Sequence, residues 1–138
     1  MKLSTKSRYC VRLLVDLAKY ANQKPVSMGE ISKRQEISVK YLEQLIRPLK
    51  QAKLIISARG PKGGHQLTKK PEEITIGEIV RLFEIPNGRV KGGTKPEKGF
   101  ISDDYQVKLA WKSATQVLYD KLDSMTIDDL AKGKISEI

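Results

Sequence analysis

Residues 38–53 carry the pattern that most limits what this chain can fold into. Leu42, Leu45, Ile46 and Leu49 recur at i, i+3, i+4 and i+7, the spacing of one buried helix face, while Lys40, Glu43, Gln44, Arg47 and Gln51 fall opposite. Ser38 is placed to cap this helix, which is expected to run to about Lys53. Pro48 removes the amide that would bond the Gln44 carbonyl, so a kink or a tightened last turn is expected. Upstream, Ser27-Met28-Gly29-Glu30 fits a capping box opening a shorter helix to about Gln35, with Glu36-Ile37 as the connection. Downstream, Leu54–Ser57 and His65–Thr68 read as short strands around the turn Arg59-Gly60-Pro61-Lys62-Gly63-Gly64. Helix, turn, helix and basic hairpin over residues 26–68 is the order of a winged helix-turn-helix.

The flanks extend this frame. Residues 7–21 read as a largely buried helix, with Val11, Leu14, Val15 and Ala18 on one face and Leu13, Leu17 and Tyr20 beside it. Thr75-Ile76-Gly77-Glu78 fits a second capping box, before a helix whose Ile76, Ile79, Val80 and Phe83 share a face. Residues 86–102 hold four Gly, two Pro and five charged side chains, a composition expected to give a flexible effector or sensor loop. Residues 103–124 form the longest expected helix. Its Val107, Trp111, Ala114, Leu118, Leu122 and Met125 step close to a 3.5-residue seam, suited to packing against another helix in cis or in a second subunit. Thr126-Ile127-Asp128-Asp129 starts a last short helix that Gly133 ends. The expected fold is mainly α with a small β-hairpin wing. Residues 1–85 form the winged helix-turn-helix, 86–102 the loop, and 103–138 a dimerisation helix with a short terminal helix.

Charge gives this frame a direction. Net charge is +10, but residues 1–70 carry 16 basic and 4 acidic side chains and the remainder 10 and 12, so the first half is built to face a polyanion. One cysteine forms no intramolecular disulfide, and one Cys with one His supplies no zinc set, so a reducing cytoplasm without a metal cofactor is expected. The amino-terminal apolar run is broken by Arg12 and Asp16, which fits neither a signal peptide nor a membrane span.

In a winged helix-turn-helix the third helix enters the major groove, the second braces it, and the hairpin reaches a neighbouring groove or phosphate. Glu43 suits a cytosine amino group, Gln44 an adenine, and Arg59 a narrow minor groove. Lys33, Arg34, Arg47, Lys50, Lys53 and Lys62 are candidates for phosphate contact, and Lys2 joins the DNA-contact set. The bland alternative, a solvated basic face, loses ground because the charges coincide with the helix-turn-helix pattern.

The stretch Met1–Arg8 (MKLSTKSR), Ser38-x-x-Tyr41-Leu42-Glu43-Gln44-Leu45, Arg59-Gly60-Pro61-x-Gly63-Gly64, and Trp111 with the later Thr126-Ile127-x-x-Leu130 resemble the Rrf2 (IscR/NsrR/CymR-like) family of bacterial transcription regulators over about residues 1–130. The resemblance implies a homodimeric winged-helix repressor, paired through the long carboxy-terminal helix and binding a double-stranded operator. It implies Ser38, Lys40, Tyr41, Glu43 and Gln44 on the recognition helix, and Arg59, Gly60, Lys62, Gly63 and Gly64 in the wing, with His65 beside them. Val107, Trp111, Ala114, Leu118 and Leu122 become the dimerisation residues. Cluster-binding relatives place three cysteines, and sometimes a histidine, before the long helix, whereas residues 86–110 contain neither. The positions resembling those ligands hold Tyr105, Lys108 and a residue near Gly99, and Arg8 stands where some relatives supply a carboxylate. No iron–sulfur cluster is expected, and control by a partner protein, a metabolite or a redox signal takes its place.

The remaining candidates have plain readings. Cys10 reads as a small buried hydrophobe, with a redox role as the alternative because Lys6, Arg8 and Arg12 are near in sequence. His65 suits a phosphate or backbone contact, since nothing is spaced to make a catalytic triad with it. Trp111 suits core or dimer packing rather than a ligand platform. Asp103-Asp104 and Asp128-Asp129 sit at helix starts, where negative charge favours the dipole. No enzyme is expected. A nucleic-acid- or protein-interaction module without operator specificity is the alternative to a regulator.

Overall fold

The computed structural model describes residues 3–22, 24–84 and 102–137. Lys2 and the expected loop, except Ser102, lie outside them. The element order is α1 (Thr5–Tyr20), α2 (Met28–Gln35), α3 (Val39–Gln51), β1 (Ile55–Ala58), β2 (Gly64–Leu67), a 3-10 turn (Pro71–Glu73), α4 (Ile76–Glu84), α5 (Asp103–Asp123) and α6 (Ile127–Ala131).

Local chemistry explains the boundaries. Ser27 and Glu30 form the expected capping box, at 3.2 and 3.1 Å, and Ser38 Oγ accepts from the Tyr41 amide at 3.2 Å to start α3. Glu36 ends α2 in the left-handed region at φ 55°. The helix α3 runs through Pro48 and closes in a Schellman arrangement. Lys53 takes φ 59°, its amide bonds the Lys50 carbonyl at 3.0 Å, and the Leu54 amide bonds the Leu49 carbonyl at 3.0 Å. Leu49 and Leu54 are both fully buried, so their contact supports a left-handed residue that is not glycine. At α4, Thr75 Oγ1 accepts from the Glu78 amide at 3.1 Å, but the Glu78 carboxylate lies 3.6 Å from Lys69 Nζ, outside the reciprocal box expected from sequence.

One core runs through the chain. Leu13, Leu14 and Leu17 of α1 pack with Ile31, Leu42, Leu45, Leu49, Leu54, Ile79 and Val80. Burial of α1 is one-sided: Val11, Val15 and Ala18 are half-buried and Tyr20 is exposed. The core crosses the expected boundary at residue 103, because Leu122 of α5 and Ile127 of α6 belong to it. A backbone bridge fixes this return. The Ile76 amide bonds the Met125 carbonyl at 2.8 Å, and the Ile127 amide bonds the Ile74 carbonyl at 2.9 Å, so the starts of α4 and α6 are paired.

The hairpin pairs Ile55 with Leu67 and Ala58 with Gly64. A third segment joins it, since Val26 and His65 exchange backbone hydrogen bonds at 3.0 and 2.8 Å. A side chain at Gly64 would put its Cβ within 2.5 Å of the Val26 backbone, so close approach requires glycine there.

Candidate nucleic-acid interface

The outer face of α3 separates from the core as its periodicity demands. Leu42, Leu45, Ile46 and Leu49 are buried, whereas Lys40, Glu43, Gln44, Arg47 and Lys50 are all exposed. None of those charged residues holds an ion pair with another described residue. Ser38 is exposed but spends its hydroxyl on the helix cap. Tyr41 is half-buried and meets the Tyr9 ring edge-on, with centroids 5.5 Å apart, so this side chain braces α3 against α1.

The hairpin tip presents Arg59, Gly60 and Lys62 as exposed residues. Gly60 adopts φ 103°, and a Cβ at Gly63 would lie 2.3 Å from the Ala58 carbonyl oxygen, so these glycines shape the turn that carries the two cations. Gly63 and Gly64 are half-buried and serve backbone fit. His65 Nδ1 lies 2.7 Å from Ser57 Oγ across the strands. Burial and then the nearby Lys50 charge hold its imidazole below the usual value.

Two expectations change, for Arg34 and for the seam of α5, and of the two readings of Cys10 the packed one is kept. Arg34 is engaged: its Nη2 and Nε meet Asp16 at 2.8 and 3.0 Å, so it does not stand free beside Lys33. Leu122 is buried in the chain's own core because the end of α5 is pinned to α4, where Arg81 meets Asp123 at 2.7 and 2.8 Å. The seam therefore divides: Val107, Trp111 and Ala114 are exposed, Leu118 is half-buried and Leu122 is consumed internally. Cys10 has no solvent exposure, and burial pushes its thiol up to about 12 despite the opposing Lys6 charge, so the packed reading fits and thiolate chemistry does not.

Sequence reasoning missed the residues behind the interface. Tyr9, Arg12 and Asp16 of α1 all reach α2 or α3, and the signal for one of them was a carboxylate set among apolar residues of a buried helix. It also missed Leu109 and Val117, exposed apolar residues of α5 outside the expected seam.

Comparison with known proteins agrees with the winged-helix fold. The Rrf2 family profile, described as "Iron-dependent Transcriptional regulator", matches residues 3–133. Protein rrf2 of Nitratidesulfovibrio vulgaris is 39% identical over 132 residues, covering 96% of this chain and 88% of that protein. The HTH-type transcriptional regulator CymR of Bacillus subtilis is 35% identical, covering 95% of this chain and 90% of its own length. Among solved structures, T. potens IscR superposes with a TM-score of 0.77 at 33% identity, covering 100% of this chain and 94% of that one.

The profile's description raises the question of iron, and the donor set does not fit a thiolate-ligated centre. The chain's one cysteine is sealed in the core and its one histidine is bonded to Ser57. Among the described residues, no three His, Cys, Asp or Glu side chains converge. Arg8 lines an open groove of about 480 Å³ together with Leu3, Tyr9, Val11 and Arg12, an apolar and cationic setting, and Lys108 is paired with Asp104 at 3.0 Å.

Proposed function

The chain belongs to the Rrf2 family and is a DNA-binding transcription regulator, and from that premise we propose that it is a homodimeric, sequence-specific repressor that works without an iron–sulfur cluster. The unpaired outer face of α3 carries the reading. Lys40, Glu43, Gln44 and Arg47 offer base-edge and phosphate contacts, Lys33, Lys50 and Lys53 add phosphate contacts, and Arg59 and Lys62 extend the footprint to a neighbouring groove. Residues 1–85 read DNA in the cytoplasm, and α5 pairs two subunits through Val107, Trp111 and Ala114. That pairing sets two recognition helices roughly 34 Å apart, one helical turn of DNA. Repression follows from occupying a promoter. A partner protein or metabolite controls it, since Cys10 is packed away.

The test is a salt titration of the full chain on a duplex it selects from a random-sequence pool and on a scrambled duplex. The expected result is at least about a thousandfold preference for the selected duplex at physiological salt. Steep salt dependence with equal affinity for both would instead mark a non-specific nucleic-acid-binding module.

A further inference from the structure

Asp16 has no solvent exposure, yet both its oxygens are occupied. Oδ1 accepts from Arg34 Nη2 at 2.8 Å, and Oδ2 accepts from Arg34 Nε at 3.0 Å and from Gln35 Nε2 at 2.9 Å. The Arg34 guanidinium lies 4.1 Å from the centroid of the Tyr20 ring, so α1 also supplies its apolar cover. Arg12 completes the joint, donating from Nε to Gln35 Oε1 at 3.3 Å and from Nη2 to the Gln35 backbone carbonyl.

The place of this cluster in the chain gives it meaning. Arg34 and Gln35 are the last two residues of α2, and Glu36 follows in the left-handed region. Ser32 Oγ donates to the Ile37 carbonyl across the same turn, and Ser38 then caps α3. Whatever fixes residues 34 and 35 against α1 therefore fixes the direction in which α3 leaves the turn. Arg34 spends two of its five N–H donors on a buried carboxylate, and Asp16 cancels the charge that Arg34 would offer a phosphate.

We propose that Asp16, Arg34 and Gln35 form the anchor that sets the pitch of the recognition helix, with Arg34 a positioning residue rather than a phosphate contact. The inference rests on the DNA-regulator reading above. Lys33, exposed and next in sequence, is the phosphate-contact candidate of this turn.

The experiment uses the full chain, the duplex selected by the wild type and a scrambled duplex of the same composition, titrated with NaCl while unfolding midpoints are followed. Arg34→Ala and Asp16→Asn are each expected to lose about tenfold on the selected duplex and under about twofold on the scrambled one, with the double variant no worse than the poorer single. The slope of log affinity against log salt stays at the wild-type value. Arg34→Lys keeps the charge but not the paired bonds, and is expected to lose discrimination as Arg34→Ala does, so it carries the test if Arg34→Ala does not fold. The proposal is overturned if Arg34→Ala lowers the slope by about 0.9 on both duplexes, the signature of one lost phosphate contact. Wild-type discrimination by Asp16→Asn or Arg34→Lys also overturns it. A wild-type chain that fails to distinguish the duplexes breaks the regulator reading instead, which keeps the two failures apart.

Discussion

Among the described residues, two arginine–aspartate pairs join helices with nearly the same chemistry and differently buried carboxylates. Arg34 grips Asp16 with two nitrogens and lies against the Tyr20 ring; Arg81 grips Asp123 with two nitrogens and lies 4.6 Å from the centroid of the Tyr119 ring. The two arginines are similarly exposed, at 31% and 41%, but the Asp16 carboxylate has 0% exposure and that of Asp123 39%. Burial decides what each is worth. A buried carboxylate stripped of its partner is an uncompensated charge, whereas an exposed pair competes with water and salt on nearly equal terms. The head proposed to read DNA is thus tied internally by a joint that is costly to open, and the foot of α5 by one that adjusts cheaply.

The largest effect expected from this contrast is on stability. Arg34→Ala should lower the unfolding free energy by about 3 kcal/mol, read from urea denaturation, because Asp16 keeps only Gln35. Arg81→Ala should cost at most about 1 kcal/mol. Equal costs for the two variants would break the comparison.

Gly77 sharpens the weaker side. A Cβ there would lie 1.9 Å from Asp123 Oδ1, so Gly77→Ala must turn the carboxylate out of its pair. Since the displaced atom ends an exposed side chain, the cost should match that of losing the pair, about 1 kcal/mol, and the Gly77→Ala, Arg81→Ala double variant should cost no more than either single. Additive costs in a double-mutant cycle would show that Gly77 matters for backbone packing instead.

What the sequence revealed and what it hid divide along the same physical line. Features written in local spacing were legible: the Ser27–Glu30 box, the Ser38 cap, the buried face of α3 and the hairpin. The Asp16–Arg34 joint was not, because two residues 18 apart on different helices leave no periodic signal. Asp16 counted only as a break in an apolar run, though a carboxylate on a buried face also asks for a cation. The seam of α5 was legible as apolar spacing, but spacing does not say whether the partner lies in the same chain. Leu122 turned inward, while Trp111 stays 66% exposed. Glu78 shows the opposite error, a local pattern whose side chain lies near a distant lysine, Lys69.

The smallest effect concerns pH and belongs to the α4–α5 side. Glu84, the last residue of α4, accepts from the Ser4 amide at 2.9 Å and from Ser7 Oγ at 2.8 Å, tying α4 to the start of α1. Hydrogen bonds from Ser4, then Ser7, hold its carboxyl below the ordinary 4.5, and the Arg81 hydrogen bond holds Asp123 below 3.8. Both folded-state values are depressed, so both groups contribute stability that is complete above the ordinary carboxylate range and is lost as pH falls through the lowered values. Urea midpoints measured from pH 6 down to 3 should therefore decline below about pH 4.5 in the wild type. Glu84→Gln keeps an oxygen that can accept from Ser4 and removes the titration, so its decline should be shallower. Raising the salt concentration should weaken the Asp123 share, where both partners meet solvent, more than the Glu84 share, which comes from hydrogen bonds to uncharged donors. An acid limb in Glu84→Gln as steep as in the wild type would place the lost stability on other carboxylates and remove Glu84 from the joint.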